Sequence, residues 1–109
     1  MQEEKFDLIV IGSGSGLDVA TAAQSGLKVA VIEKGMMGGT CLNRGCIPSK
    51  LLIHSANVAG IIRHANTFGI NVDNFSIDFG KIVKRVNNIT YTASEAIKNS
   101  YQSQYIKFR

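Results

Sequence analysis

The apolar run Phe6-Asp7-Leu8-Ile9-Val10-Ile11 leads directly into Gly12-Ser13-Gly14-Ser15-Gly16, and that junction restricts the fold more than any other feature of the chain. A short, partly β-branched run that ends at glycine reads as a buried parallel strand. Ser15 to Gln24 then supplies Leu17, Val19, Ala20, Ala22 and Ala23 at helical spacing, with Gly26 as a C-terminal stop, which predicts a crossover helix. Lys28-Val29-Ala30-Val31-Ile32-Glu33 is the second parallel strand, and the right-handedness of such crossovers places it beside the first. The chain is therefore expected to open with a βαβ unit of an α/β fold.

Downstream the pattern becomes helical. A long helix is expected from Pro48, a residue suited to a first turn, to about Ala65, with Leu51, Val58, Ala59 and Ile62 on one face. Residues 66–74, rich in Asn and Gly, read as a connection with a short extended piece at Phe68-Gly69-Ile70. Ser76 or Asp78 is expected to cap a second long helix whose apolar positions are Phe79, Ile82, Val83, Val86, Ile89, Ala93 and Ile97. The tail Tyr105-Ile106-Lys107-Phe108-Arg109 alternates like a strand, for which the sequence shows no partner. With 109 residues and no internal repeat or linker, the chain reads as one domain.

Charge narrows the function classes. The net +4 arises in the last segment: residues 81–109 hold six basic groups against one acidic, whereas residues 1–50 hold five of each. Those cations are scattered over a helical pattern with no aromatic-rich RNA-binding motif, so nucleic acid is not an expected partner. The acidic start Met1-Gln2-Glu3-Glu4-Lys5 and the short apolar run after it do not resemble an export signal. No apolar stretch approaches the roughly 18 residues of a membrane span. A cytoplasmic location is expected, and there two close cysteines are more often redox-active or metal-binding than structural. Metal is the weaker option, because the histidines, His54 and His64, stand apart from the cysteines and no second close Cys pair exists.

The glycine-rich turn is built for an anion. Gly12 permits a tight turn, Gly14 lets backbone approach a pyrophosphate, and the free N–H groups of the helix that follows, near Gly16, carry partial positive charge. Glu33 ends the second strand 21 residues after Gly12, where its carboxylate can accept hydrogen bonds from ribose hydroxyls and would repel a 2′-phosphate. FAD or NAD is thus favoured over NADP. One departure is Leu17, which stands where the fingerprint has Gly or Ala for close helix packing.

Cys41 and Cys46 lie within Gly38-Gly39-Thr40-Cys41-Leu42-Asn43-Arg44-Gly45-Cys46-Ile47-Pro48-Ser49-Lys50. Such a pair can hold two electrons as dithiol or disulfide. Residues five apart in a regular helix are separated by about 7.5 Å of rise, beyond the roughly 4.4–6.8 Å Cα spacing of a disulfide. If the two bond, the helix between them must be broken, and Gly45 is the expected place. Cys46 would then begin a helix, where the dipole favours thiolate.

In this stretch, together with the glycine turn, the chain resembles the pyridine nucleotide-disulfide oxidoreductases, and Leu42, Ile47 and Ser49 make it most similar to the dihydrolipoamide dehydrogenase branch. Glutathione, mycothione and mercuric reductases are the neighbouring alternatives. The resemblance implies an N-terminal βαβ of a Rossmann-type FAD-binding domain followed by two long helices. It also implies a truncated chain, residues 1–109 forming part of that domain, with the nicotinamide and interface domains absent and little turnover on its own; a nucleotide-binding module without redox chemistry and a catalytically dead association fragment are the other readings.

The same resemblance implies FAD as cofactor, with NAD as co-substrate, a small dithiol or lipoyl-protein substrate, and a homodimer in the full-length enzymes. Carried over residue by residue, Cys46 is the thiol nearest the flavin and Cys41 the interchange thiol that meets substrate. Gly12, Gly14 and Gly16 underlie the pyrophosphate, Glu33 with Lys34 holds the adenosine ribose, and Gly38, Gly39 and Thr40 line the ribityl path. Lys50 matches a lysine beside the flavin ring, while His54 and His64 match no catalytic position.

Overall fold

The computed structural model describes residues 2–15, 25–101 and 106–108. Three parallel strands, β1 (Leu8–Ile11), β2 (Val29–Ile32) and β3 (Ile106–Phe108), form one sheet in the order β1-β2-β3. The alternation of the tail was a true strand signal, but the expectation that it lacks a partner is corrected: Val29 faces Ile106 and Val31 faces Phe108. The central position of β2 explains why its sequence is apolar throughout. Val29, Ala30 and Val31 are all buried, as a strand flanked on both sides requires.

β1 and β2 are in register from Leu8↔Val29 to Ile11↔Ile32, and the pair is fastened at both ends. Asp7 accepts the Lys28 amide at 2.7 Å through its carboxylate and returns its own N–H to the Lys28 carbonyl at 2.8 Å. At the far end the Gly12 N–H donates to the Ile32 carbonyl at 2.8 Å, so the glycine turn starts level with the end of β2. The connecting crossover helix expected over Ser15 to Gln24 lies, from residue 16 on, outside the described residues, as do Gly16 and Leu17.

After β2 the chain turns through residues 33–38 into α1 (Gly39–Arg44), passes Gly45, and continues as α2 (Cys46–Arg63). The long helix therefore begins two residues before Pro48, which occupies its first turn, and it gives way to a 3₁₀ turn at Ala65–Phe68. The piece expected to be extended at Phe68-Gly69-Ile70 starts inside that turn. α3 (Phe79–Ser100) starts where Asp78, of the two residues proposed as its cap, accepts the Lys81 amide at 2.9 Å.

α3 runs back along α2 to the sheet. Its buried positions are Val86, Thr90 and Ser94, one turn apart, and beyond them Ile97 and the following Tyr101 pack on the core of Val10, Val29, Val31 and Met37. Of the apolar positions that keep the helical period, Phe79 is 66% exposed and Ile89 38%; Ile89 borders an open groove of about 1020 Å³ that α2 and α3 leave between them and residues 75–78. The radius of gyration, 20.5 Å, exceeds the about 13 Å of a compact chain this size. The helix pair projects from the sheet rather than wrapping it. Among the described residues no helix is long and apolar enough to cross a membrane.

Candidate functional site

The ends of β1 and β2 and the start of α1 converge on a cleft of about 440 Å³. Gly12, Ser13 and Gly14 form one wall, Glu33, Lys34, Gly35 and Met36 another, and Gly39, Thr40, Asn43 and Arg44 the third. Six of the proposed cofactor residues, Gly12, Gly14, Glu33, Lys34, Gly39 and Thr40, thus meet in one place. Gly16 lies outside the described residues. Lys50 is exposed on α2, one turn beyond Cys46, and does not line this cleft.

The glycines are fixed by close backbone approach. A Cβ on Gly39, whose φ is +68°, would stand 2.6 Å from the Gly14 Cα and 3.1 Å from the Gly14 nitrogen. The two turns touch backbone to backbone, and only glycine allows it. Over Gly12, by contrast, a Cβ would meet nothing within 4 Å among the described residues.

Glu33 organises the cleft electrostatically. Its carboxylate accepts the Ser13 N–H at 2.9 Å, the Ser13 hydroxyl at 2.5 Å and the Gly35 N–H at 2.9 Å. The Ser13 hydroxyl, followed by the Gly35 amide, holds the Glu33 carboxyl below its ordinary value, against a smaller opposing effect of burial. The group is therefore an anion across the neutral range, and a carboxylate with two oxygens can accept further bonds besides these three. Lys34 and Arg44 supply the positive charges of the same cleft.

Two residues that sequence reasoning passed over complete the frame. Ser13 is 1% exposed, and its hydroxyl accepts the Gly38 N–H at 3.0 Å while donating to Glu33. Asn43 donates through Nδ2 to the carbonyls of Met36, Met37 and Gly39 at 3.2, 3.0 and 3.0 Å, pinning the turn that precedes α1. Among the described residues its Oδ1 is buried without a hydrogen-bond partner. The signal for Asn43 was its place four residues after Gly39, within reach of the preceding turn; Ser13 carried no signal beyond standing between two glycines.

Cys41 and Cys46 are disulfide-bonded, with Cα atoms 4.7 Å apart. The break falls at Gly45, which ends α1 and precedes α2 with φ −132° and ψ −110°. A side chain there would put a Cβ 3.0 Å from the Thr40 carbonyl oxygen. Cys46 is the first residue of an 18-residue helix, and Ser49 closes its first turn by donating from Oγ to the Gly45 carbonyl at 2.7 Å. Both cysteines are exposed. His54 and His64 are exposed on the second helix and its C-terminal cap, with the His64 ring 2.8 Å from the Gly60 carbonyl, away from both cleft and disulfide.

A pyrophosphate and ribose fit this arrangement. The cleft beside Gly12 and Gly14, the anionic acceptor at Glu33 and the positive charges of Lys34 and Arg44 are the features a nucleotide would use. Comparison with known proteins gives the same direction. Residues 6–108 match the family described as pyridine nucleotide-disulphide oxidoreductase. The chain is 49% identical over 105 residues to a protein of Chlamydia muridarum named dihydrolipoyl dehydrogenase, a match covering 94% of this chain and 23% of that protein. A protein of the same name from Chlamydia trachomatis is 50% identical over the same coverage. One from Bacillus subtilis is 47% identical over 83 residues, 74% of this chain and 18% of its own length. The chain thus spans less than a quarter of the length of these relatives.

Proposed function

The chain belongs to the pyridine nucleotide-disulphide oxidoreductase family, and on that footing we propose that residues 1–109 carry the dinucleotide cradle and the redox disulfide of a flavin-dependent, dihydrolipoamide-oxidising enzyme. The observation that supports this most is the direct contact between the two halves of the site. The turn that leads into the disulfide helix is packed on the glycine turn at Gly14 and hydrogen-bonded to Ser13. Glu33 would hold the ribose of FAD, Gly12 and Gly14 would let its pyrophosphate approach the backbone, and Lys34 would add a positive charge. Lys50 is assigned to the flavin ring on the resemblance alone.

The chemistry of the cysteines balances without a further reagent. A thiolate of the dithiol substrate attacks the sulfur of Cys41, the bond to Cys46 breaks, and Cys46 leaves as thiolate. Its position at the start of α2 stabilises that charge. The second substrate thiol displaces Cys41 from the mixed disulfide, so that substrate becomes a disulfide and the cysteine pair takes up two electrons. Bound FAD would supply the acceptor for those two electrons, with NAD as the co-substrate of the whole enzyme. The whole enzyme acts in the cytoplasm as a homodimer on a small dithiol or a lipoyl group carried by a protein, with no nucleic-acid or membrane partner.

The test is a titration of the purified chain with FAD, followed by absorption through gel filtration. Retained flavin bands are expected, and Glu33→Ala should weaken binding by roughly 1–3 kcal/mol, the worth of hydrogen bonds to a charged group. Unchanged affinity in that variant would remove Glu33 from the site. Colourless binding of NAD in place of FAD would make the chain a nucleotide-binding module without flavin chemistry.

A further inference from the structure

One side chain of the frame bonds to two separate parts of the site. Ser13 is buried, and its hydroxyl stands between Glu33, to which it donates, and Gly38, whose amide it accepts, while its own amide also donates to Glu33. Gly38 precedes the first residue of α1, two residues before the segment Thr40-Cys41, and α1 holds the first cysteine. Besides the covalent chain, the Ser13 hydroxyl thus ties the carboxylate at the end of β2 to the turn that leads into the cysteine helix. A hydroxyl that donates and accepts at once is polarised by each partner, so its two bonds strengthen together.

We propose that Ser13 is a positioning residue that couples the carboxylate of Glu33 to the Gly38 turn, so that the serine hydroxyl sets the acceptor of the dinucleotide cradle and the start of the disulfide helix as one unit. The role of Glu33 as a cofactor ligand rests on the function proposed above; the coupling itself does not. Alanine at this position would remove the donor to Glu33 and the acceptor for Gly38 in one step. The charged groups that share the cleft with Glu33 are Lys34 and Arg44, on the turn after β2 and on α1, and neither bridges to Gly38 in the way the serine does.

The coupling is read in the full chain without any ligand. In a nuclear magnetic resonance titration, Ser13→Ala should shift the Glu33 carboxyl midpoint upward toward its ordinary value and speed exchange of the Gly38 amide at least about tenfold, the factor for losing roughly 1.4 kcal/mol of protection. Both changes must follow from the one substitution. A change in one alone, or in neither, overturns the proposal, since a serine that merely fills space would not move the two together. If Ser13→Ala does not fold, the unsubstituted chain decides: the Gly38 amide resonance should titrate with the same midpoint as the Glu33 carboxyl, and a Gly38 signal indifferent to that midpoint refutes the coupling. FAD added afterwards separates the two readings. A chain that couples Glu33 to Gly38 yet binds no FAD keeps the proposal and loses the function, and one that binds FAD without coupling does the reverse.

Discussion

Replacing Gly39 with alanine tests the geometry on which the site depends. The new methyl carbon would lie 2.6 Å from the Gly14 Cα and 3.1 Å from its nitrogen, backbone atoms that cannot rotate out of the way. Restoring ordinary contact means moving the two turns apart by about 1 Å, judged against normal carbon–carbon separations of roughly 3.5–4.0 Å. That movement stretches the 3.0 Å bond between Gly38 and Ser13 beyond hydrogen-bond range. The φ of +68° adds its own penalty, about 1–2 kcal/mol for a residue with a Cβ. Overpacking in a site that cannot relax adds about 1–3 kcal/mol, so the expected loss is about 2–5 kcal/mol out of a total of about 5–15 kcal/mol for a domain. Urea unfolding followed by circular dichroism measures it. Gly60→Ala is the control, because a Cβ there meets nothing within 4 Å, and it should stabilise α2 by about 0.5–1 kcal/mol. A Gly39→Ala midpoint within experimental error of the parent, with Gly60→Ala shifted as expected, would show that the two turns do not touch as described.

Further outcomes follow from other parts of the chain. Asp78→Ala removes the acceptor for the Lys81 amide and should destabilise α3 by about 0.5–2 kcal/mol, seen as lower helicity on heating. Because the folded Glu33 carboxyl lies below its unfolded value of about 4.3, its contribution to stability is complete above that pH and is lost as pH falls through the folded value. Glu33→Gln should flatten that part of the acid-unfolding profile, and an identical profile would contradict the assigned hydrogen bonds. The exposed Ile53, Ile61, Phe68 and Phe79 should make the chain self-associate, so sedimentation should give a mass that rises with concentration, and a monomer at all concentrations would count against it. Thiol counting should find none in the oxidised chain and two after reduction.

What the sequence disclosed, it disclosed through local rules. Strand-to-glycine junctions, the Asp78 cap and the break at Gly45 each depend on a few consecutive residues, and each is where those residues place it. Phe79 and Ile89 share the helical period of Val86, but periodicity reports only that residues lie on a common face; how far the facing helix follows along that face is decided by packing, and α2 leaves both uncovered. β3 was legible as a strand and not as a neighbour, since pairing Val29 with Ile106 joins positions far apart in the chain. Ser13 was hidden for the same reason. Its partners, Glu33 and Gly38, lie 20 and 25 residues away, and a serine between glycines looks like turn composition until the fold closes around it.

The break at Gly45 has a consequence for the cysteines in their reduced form. The chain is bent there by the Thr40 carbonyl packed against Gly45, and the flanking turns are held by Asn43 on one side and by Ser49 on the other. None of these contacts involves sulfur. Opening the disulfide therefore leaves the two thiols facing each other, confined to a small volume by bonds that survive reduction. Each thiol then meets the other at a local concentration far above any free thiol in solution, so re-closure is an intramolecular step for which most of the ordering entropy has been spent when the chain folds.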